Sequence, residues 1–237
     1  MILDQNSEFL YVSAGLHPEN PTTIYKISLQ TFQQVIPPAS YGKLTISMAI
    51  SNDNNKLYIR NGDYIPVDPD SMDEFYSEIG IFNTSDLSQM DSIIFHDMVP
   101  SFIRMGYDNR LFVTNSIPMT EMNNETSLYV IDTNNDEIIK NVSMGETGLG
   151  YMALDPINQK LYCTTFFRDE YDPDFDETIH RLTPEITLFD LMDPAYTPSN
   201  ITIDNEGLWI IALSYSASGE RLFASTPDSN LIHYQDL

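Results

Sequence analysis

The sequence predicts an all-β fold built from about five similar four-stranded sheets. A short unit recurs, in which a leucine is followed by an aromatic residue and then by small, branched or polar residues. The segments that flank this unit carry apolar residues at alternate positions, as half-buried strands do. No stretch shows a long apolar pattern of helical period. Four strands in about 50 residues, repeated along the chain, favour the blades of a β-propeller.

The recurring unit defines the second strand of each predicted sheet. Its leucines are Leu10, Leu57, Leu111, Leu161 and Leu222, which gives spacings of 47, 54, 50 and 61 residues. A β-sandwich is the structural alternative, but it predicts no motif that returns at one particular strand. The five predicted second strands are 9–14, 56–61, 110–115, 160–165 and 221–226.

A first strand is predicted before four of these units, and each one ends in a turn. The predicted first strands are 44–50, 102–107, 151–154 and 208–213. The turns that follow are rich in Asn, Asp, Ser and Gly, which tolerate the positive φ of a tight hairpin. The first repeat begins at Met1 and leaves little room for its own first strand.

Third strands are predicted after each unit, across connections of variable length. They are 23–27, 78–82, 127–132, 185–190 and 230–234. More polar fourth strands follow in most repeats, for example 32–36 and 137–144. The last repeat stops at its third strand, so its predicted sheet lacks an outer strand.

The pattern predicts a single β-propeller domain over residues 1–237. Its repeats are approximately 1–41, 42–99, 100–147, 148–206 and 207–237. The uneven first and last repeats indicate part of a six- or seven-bladed ring, or a ring completed by a second copy or a partner chain, because open sheet edges invite pairing. A five-bladed ring with one three-stranded blade is the alternative.

The third repeat resembles the YVTN-type β-propeller repeat. The likeness is carried by Arg110-Leu-Phe-Val-Thr-Asn, Leu128-Tyr-Val-Ile-Asp and Ile138-Ile-Lys-Asn-Val-Ser-Met-Gly. The resemblance implies a propeller fold and an extracellular, cell-surface or periplasmic location, since family members are mostly secreted, periplasmic or surface-layer proteins. A cytoplasmic location is the alternative. Similar repeats occur in propeller lactonases and amine-dehydrogenase subunits, but no catalytic set of either can be matched to this sequence.

The charge balance narrows the classes of partner. The chain has 11 Lys+Arg and 35 Asp+Glu, a net charge of −24. A protein that binds nucleic acid through the phosphate backbone needs a basic surface, and so does one that docks on anionic lipid. No apolar run approaches the length of a membrane span, so no membrane insertion is expected. The acidic excess favours cationic partners.

Three long acidic connections between second and third strands form the best candidate site. They are 61–74, 116–125 and 166–180. In a propeller such connections share one face, and long loops in a compact fold are often functional. Like charges this close repel each other unless a cation screens or bridges them.

The longest of these loops contains a partial calcium-binding pattern. Asp172, Asp174 and Asp176 have the 1-3-5 spacing of an EF-hand loop. Glu177 stands where the loop has Gly, and Thr183 where it has Glu. A solvated acidic loop is the alternative to a calcium site.

Other candidate ligand-binding residues are one arginine and three histidines. Arg104 lies on a predicted first strand next to the propeller axis, where it forms a structural ion pair or anchors an anion. His17 and His180 fall in second-to-third connections, and His96 falls between two repeats. Cys163 lies in a predicted buried strand and is expected to be an inert core thiol.

These observations favour a non-enzymatic binding module that recognises a protein or a surface polymer through its acidic loops. Two other functions remain open. One is a metal-dependent propeller hydrolase such as a lactonase, and the other is a structural module of a surface layer or filament.

Overall fold

The computed structural model is built of antiparallel β-sheets. It describes residues 1–15, 21–43, 45, 47–61, 65–66, 75–96, 99–115, 126–145, 148–165, 168–172, 177–181, 185–202, 212–216, 218, 221–225 and 232–236. No helix occurs within these ranges. The predicted all-β class is confirmed for these residues, and so is the presence of several four-stranded antiparallel sheets.

The first two sheets are formed by consecutive strands of the chain. The first sheet pairs, in this order, β1 (Ile2–Leu3), β2 (Phe9–Ala14), β3 (Thr22–Ser28) and β4 (Ala39–Tyr41). The second sheet contains β5 (Met48–Ile50), β6 (Lys56–Arg60), β7 (Ile65–Pro66), β8 (Phe75–Asn83) and β9 (Gln89–His96). Its main order is β5-β6-β8-β9, and the short β7 pairs with the beginning of β8.

The remaining sheets repeat this arrangement. The third sheet pairs β10 (Phe102–Met105), β11 (Arg110–Thr114), β12 (Thr126–Asp132) and β13 (Glu137–Gly145). The fourth sheet pairs β14 (Leu149–Asp155), β15 (Lys160–Thr165), β18 (Glu185–Asp190) and β19 (Pro198–Thr202), with a separate hairpin of β16 (Arg168–Asp172) and β17 (Glu177–Arg181) between β15 and β18. The fifth sheet pairs β20 (Ala212–Ser216), β21 (Arg221–Ser225) and β22 (Ile232–Asp236).

The observed strands differ from the predicted ones mainly at the outer positions and in the last repeat. The fourth strand of the first sheet is Ala39–Tyr41, whereas the segment predicted at 32–36 contributes a single bridge between Ile27 and Gln34. In the last repeat the described first strand is Ala212–Ser216, and most of the predicted strand 208–213 lies outside the described residues.

The chain divides into two compact units. One contains Met1–Val113 and Tyr129–Lys140, and the other contains Thr114–Leu128 and Asn141–Leu237. The first and second sheets belong to the first unit, and the fourth and fifth belong to the second.

In the first unit the second sheet is covered on both faces. Tyr11, Ile24 and Tyr41 of the first sheet pack with Ile50 and Leu57 of the second. A separate cluster joins the other face of the second sheet to the third, and it contains Tyr58, Ile79, Ile81, Ile93, Phe95, Ile103, Leu111, Val113 and Ile131. Successive residues of a strand point to opposite faces, so Leu57 faces the first sheet and Tyr58 faces the third.

The second unit repeats this packing between the fourth and fifth sheets. Its buried cluster contains Ala153, Tyr162, Ile186, Leu222 and Ala224. Tyr162 is 1% exposed and stacks on Tyr215 of the fifth sheet, with ring centroids 6.3 Å apart. In the pairs that these clusters describe, the aromatic residue of each repeat faces the following sheet, and the leucine faces the preceding one.

Candidate functional site

Each four-stranded sheet has two different ends. At the end called here the turn end, the first strand is joined to the second and the third to the fourth. At the opposite end, the loop end, the second strand is joined to the third, and in the second, third and fourth sheets this connection is the longest of the sheet. This arrangement follows from antiparallel pairing of consecutive strands.

Carboxylates cap the backbone at the turn end. Asp4 accepts hydrogen bonds from the backbone N–H groups of Glu8 and Phe9, at 2.7 and 2.9 Å. Asp155 accepts from the N–H groups of Ile157 and Asn158, at 2.9 and 3.0 Å. Burial acts to raise the pKa of Asp155, but these hydrogen bonds outweigh it and the pKa is lowered. Part of the acidic excess therefore stabilises turns.

Positive φ angles also occur at the turn end, as the Asn, Asp, Ser and Gly residues of its turns predict. Ser7, Asn54 and Asp108 adopt this conformation in turns between first and second strands. Leu87 and Tyr196 adopt it in turns between third and fourth strands, although their side chains do not favour it. The sequence therefore did not predict positive φ angles at Leu87 and Tyr196.

The second and third sheets are joined at the turn end by a half-buried polar cluster that we call the Asp136 latch. Asp136 lies in the turn after β12, and its Oδ1 accepts a hydrogen bond from the Tyr58 hydroxyl at 2.7 Å. Its Oδ2 forms an ion pair of 2.6 Å with Lys56 Nζ, which also donates to the carbonyl of Thr133 at 2.8 Å. One carboxylate thus holds two side chains of the neighbouring strand β6.

An equivalent contact joins the first sheet to the second. The Tyr11 hydroxyl donates to the backbone carbonyl of Thr84 at 3.4 Å, and Lys26 Nζ donates to the same carbonyl at 2.9 Å. Thr84 is the first residue after β8, as Thr133 is the first residue after β12. Lys26 Nζ also lies 4.2 Å from the centroid of the Phe9 ring, a cation–π contact.

These contacts were not predicted, although the sequence contains a signal for them. Lys56 and Tyr58 are two residues apart on one strand, so they share a face. The same spacing of a basic and an aromatic residue recurs at Arg110, Lys160 and Arg221. The acceptor lies about 80 residues away, which a repeat motif by itself does not reveal.

Buried tyrosines should make the stability of the chain sensitive to alkaline pH. The pKa of Tyr11 is raised from 10.0 to about 12, because burial disfavours the phenolate and the charge of Asp4 adds to the effect. The pKa of Tyr162 is also raised to about 12, mainly because burial disfavours its phenolate. A raised phenol pKa contributes stability that is complete below about pH 10 and is lost as the pH rises to about 12. Urea unfolding between pH 8 and 12 should show this decline, and Tyr11→Phe should reduce its slope.

Ultraviolet titration of tyrosinate gives an independent check of that prediction. In the folded chain of 14 tyrosines, the buried hydroxyls should titrate after the exposed ones. A single transition of all tyrosines near pH 10 would contradict it.

Arg104 lies on β10, the first strand of the third sheet, and its side chain is exposed. It forms no ion pair with another of the described residues, so the expected structural pair is not found among them. Loss of hydration lowers the pKa of Arg104, while the electrostatic interaction with Tyr107 acts to raise it. An accessible guanidinium with reduced hydration is suited to hold an anion, so the second interpretation of Arg104 stays a prediction.

The predicted histidines are distributed over different elements. His96 is the last residue of β9 and is exposed, and it pairs in register with Tyr76. His180 lies on β17, where its register partner is Asp169. His17 lies outside the described residues. The structure thus places Arg104 on the third sheet, His96 on the second sheet and His180 in the hairpin of β16 and β17.

The predicted calcium ligands lie in the hairpin between β15 and β18. Asp172 is the last residue of β16, and Glu177, the first residue of β17, is its register partner. Asp174 and Asp176 lie outside the described residues. Within the described part of the chain, no three His, Cys, Asp or Glu side chains are grouped closely enough to hold a metal ion. The calcium site at Asp172, Asp174 and Asp176 stays a prediction.

Cys163 is fully buried in β15, and burial raises the pKa of its thiol. A protonated, inaccessible thiol is a poor nucleophile.

The comparisons with known proteins leave the function to be argued from the residues. No model of a protein family matches the sequence, and no curated protein matches it. No helix of the described residues has the length and apolar character to cross a membrane.

Proposed function

We propose that the chain is a non-enzymatic β-propeller module that binds a cationic protein or surface polymer through its acidic loops. Within each unit, neighbouring sheets pack face to face in chain order, first on second on third and fourth on fifth. This is the packing that blades require, because one twisted sheet cannot bury both of its faces alone.

The contrast between the two ends of the sheets carries the proposal. The turn end has short connections in which carboxylates accept backbone hydrogen bonds. The loop end has connections of 14, 11 and 19 residues in the second, third and fourth sheets, over 61–74, 115–125 and 166–184. These contain 13 acidic residues and two arginines. In each of these three sheets, long connections and unbalanced charge therefore coincide at the loop end.

The hairpin of β16 and β17 adds a second argument for a cationic partner. Asp172, the last residue of β16, and Glu177, the first residue of β17, occupy paired positions. Like charges at paired positions destabilise a two-stranded hairpin. A cationic group bound nearby would relieve this repulsion.

The resemblance of the third repeat to YVTN-type propellers supports an extracellular, cell-surface or periplasmic location. Surface polymers and secreted proteins are available as partners there. The alternation of strands and the Leu-aromatic unit are structural features, so the resemblance supports a scaffold and no particular chemistry.

Neutralising acidic residues of one loop should weaken binding to a cationic polymer. The triple variant Asp68→Asn, Asp70→Asn and Asp73→Asn removes three charges from the loop between β6 and β8. Poly-L-lysine of defined length serves as the probe, and its affinity is measured by biolayer interferometry at physiological ionic strength, where distant charges are screened. We expect the triple variant to bind roughly tenfold more weakly.

A control variant with the same net charge separates the loop from the overall charge. Glu8→Gln, Asp91→Asn and Asp108→Asn change exposed residues away from the long loops. This control should change the affinity much less than the loop variant. Equal weakening by both variants would mean that poly-lysine responds only to net charge, and the proposed loop site would be rejected.

A further inference from the structure

The chain contains four Asn-x-Ser/Thr sequons, the acceptor sequence for N-linked glycosylation. They begin at Asn83, Asn124, Asn141 and Asn200, and Asn124 lies outside the described residues. A folded protein accommodates a glycan only where the oligosaccharide on the asparagine Nδ2 atom can project into solvent. The surroundings of the three described asparagines therefore show which sequon the fold can accommodate in a modified form.

At two of these sequons the fold orients the asparagine side chain. Asn83 is half-buried at the end of β8, and its Oδ1 accepts a hydrogen bond from the backbone N–H of Ser85 at 2.8 Å. Asn200 lies on β19, where its Oδ1 accepts from the Thr187 hydroxyl at 3.3 Å and its Nδ2 donates to Glu185 at 3.5 Å. Both side chains thus have partners within the chain.

Asn141 differs from both of them. It lies in the middle of β13, the outer strand of the third sheet, and its side chain is exposed. Its side-chain amide forms no hydrogen bond with another described residue. Ser143, the hydroxyl residue of this sequon, is also exposed, and residues two apart on a strand share a face. The amide and the hydroxyl of this sequon therefore both lie on the solvent face of β13.

The outer edge of β13 is a part of the surface that an oligosaccharide would protect. The strand has nine residues, and no described strand pairs with its outer edge. Ile139 is 51% exposed and lies on the same face as Asn141. A long edge strand with an exposed apolar residue is a template for pairing with other chains. A hydrated oligosaccharide next to Ile139 blocks such pairing by its bulk.

We propose that Asn141 carries an N-linked oligosaccharide that shields the outer edge of β13. This inference rests on the proposed extracellular, cell-surface or periplasmic location, because the donor is an oligosaccharide linked to a membrane polyprenyl diphosphate. Nδ2 of Asn141 attacks C1 of the first sugar, so a C–N bond forms and the C1–O bond to the diphosphate breaks. The amide loses one proton, and the polyprenyl diphosphate leaves with the bonding electron pair. Transfer precedes the pairing of β13, and the folded strand then presents the sugar to solvent.

Secretion of the 237-residue chain from a eukaryotic host tests the site. A leader supplied by the expression vector makes this test independent of the natural location. Peptide N-glycosidase acting in heavy-oxygen water leaves an isotope label at each asparagine that carried a sugar. Mass spectrometry should find this label in the peptide that contains Asn141, and its absence there would overturn the inference.

Substitutions in the sequons provide matched controls. Ser143→Ala removes the sequon but keeps Asn141, so it should abolish the label at that asparagine. Ser143→Thr keeps the sequon and should retain the label. Asn83→Gln and Asn200→Gln should leave the mass of the attached sugar unchanged. A label at Asn141 that persists in Ser143→Ala would show that the modification is not sequon-directed glycosylation and would overturn the inference.

Light scattering at increasing protein concentration tests the shielding of β13. The secreted Ser143→Ala chain, which lacks the sugar, should associate at a severalfold lower concentration than the secreted Ser143→Thr chain. Ser143 is exposed, so neither substitution disturbs the core. Equal association of the two chains would reject the shielding role.

The chain isolated from its natural source separates this inference from the proposed function. A label at Asn141 in that chain would show that the site is modified in nature. An unmodified Asn141 in chain recovered from outside the cytoplasm would overturn the inference and leave the proposed location standing. Chain found only in the cytoplasm would overturn both. Binding of poly-lysine by the acidic loops is measured separately, and its failure would not affect the mass of the peptide that contains Asn141.

Discussion

Replacing Leu111 by alanine is expected to lower the free energy of unfolding by about 2–5 kcal/mol. Leu111 is the leucine of the third repeat, and it is fully buried with Tyr58, Ile131 and Val113 around it. Truncation removes buried apolar surface and leaves a cavity that packed sheets cannot readily fill. Urea unfolding followed by circular dichroism measures the change.

The leucine of the first repeat provides a matched control. Leu10 holds the equivalent position on β2, but it is only partly buried. Leu10→Ala should therefore cost less than half as much as Leu111→Ala, because less surface and a smaller cavity are involved. Equal effects of the two substitutions would show that the repeat leucine does not act through burial.

Replacing Asp136 by alanine is expected to cost about 2–4 kcal/mol. The substitution leaves the Tyr58 hydroxyl and the Lys56 ammonium without their shared carboxylate. Alanine also fits poorly at the φ of +61° that Asp136 adopts. Thermal or urea unfolding gives the magnitude.

Asparagine at the same position separates the two causes. Asp136→Asn keeps a residue that tolerates positive φ and can still accept one hydrogen bond, but it removes the charge. Its cost should be about half that of alanine. In a double-mutant cycle with Tyr58→Phe, independent effects would contradict a direct contact between the two side chains.

The sequence predicted the strands best where both faces are buried. The second strands follow a leucine and an aromatic residue, and both side chains pack on neighbouring sheets, as Leu57 and Tyr58 do. The fourth strand of the first sheet was misplaced, because outer strands are largely exposed and their alternation is weak. The hairpin of β16 and β17 was not predicted, since its acidic residues are uncommon in strands.

The candidate sites were harder to predict than the strands. Periodicity places Arg104 on a strand and assigns its face, but it does not tell how exposed the side chain is. The Asp136 latch joins residues 78 and 80 positions apart. Such a contact depends on which sheets are neighbours, and that information is absent from one repeat considered alone.

The pairing of consecutive strands has a consequence for synthesis of the chain on the ribosome. In each sheet the strands that pair are close in sequence, so the described pairings need no segment from a distant repeat. Local pairing keeps the entropy of loop closure small. Each sheet can form as its roughly 50 residues emerge, and within a unit it can then serve as a template face for the sheet translated after it.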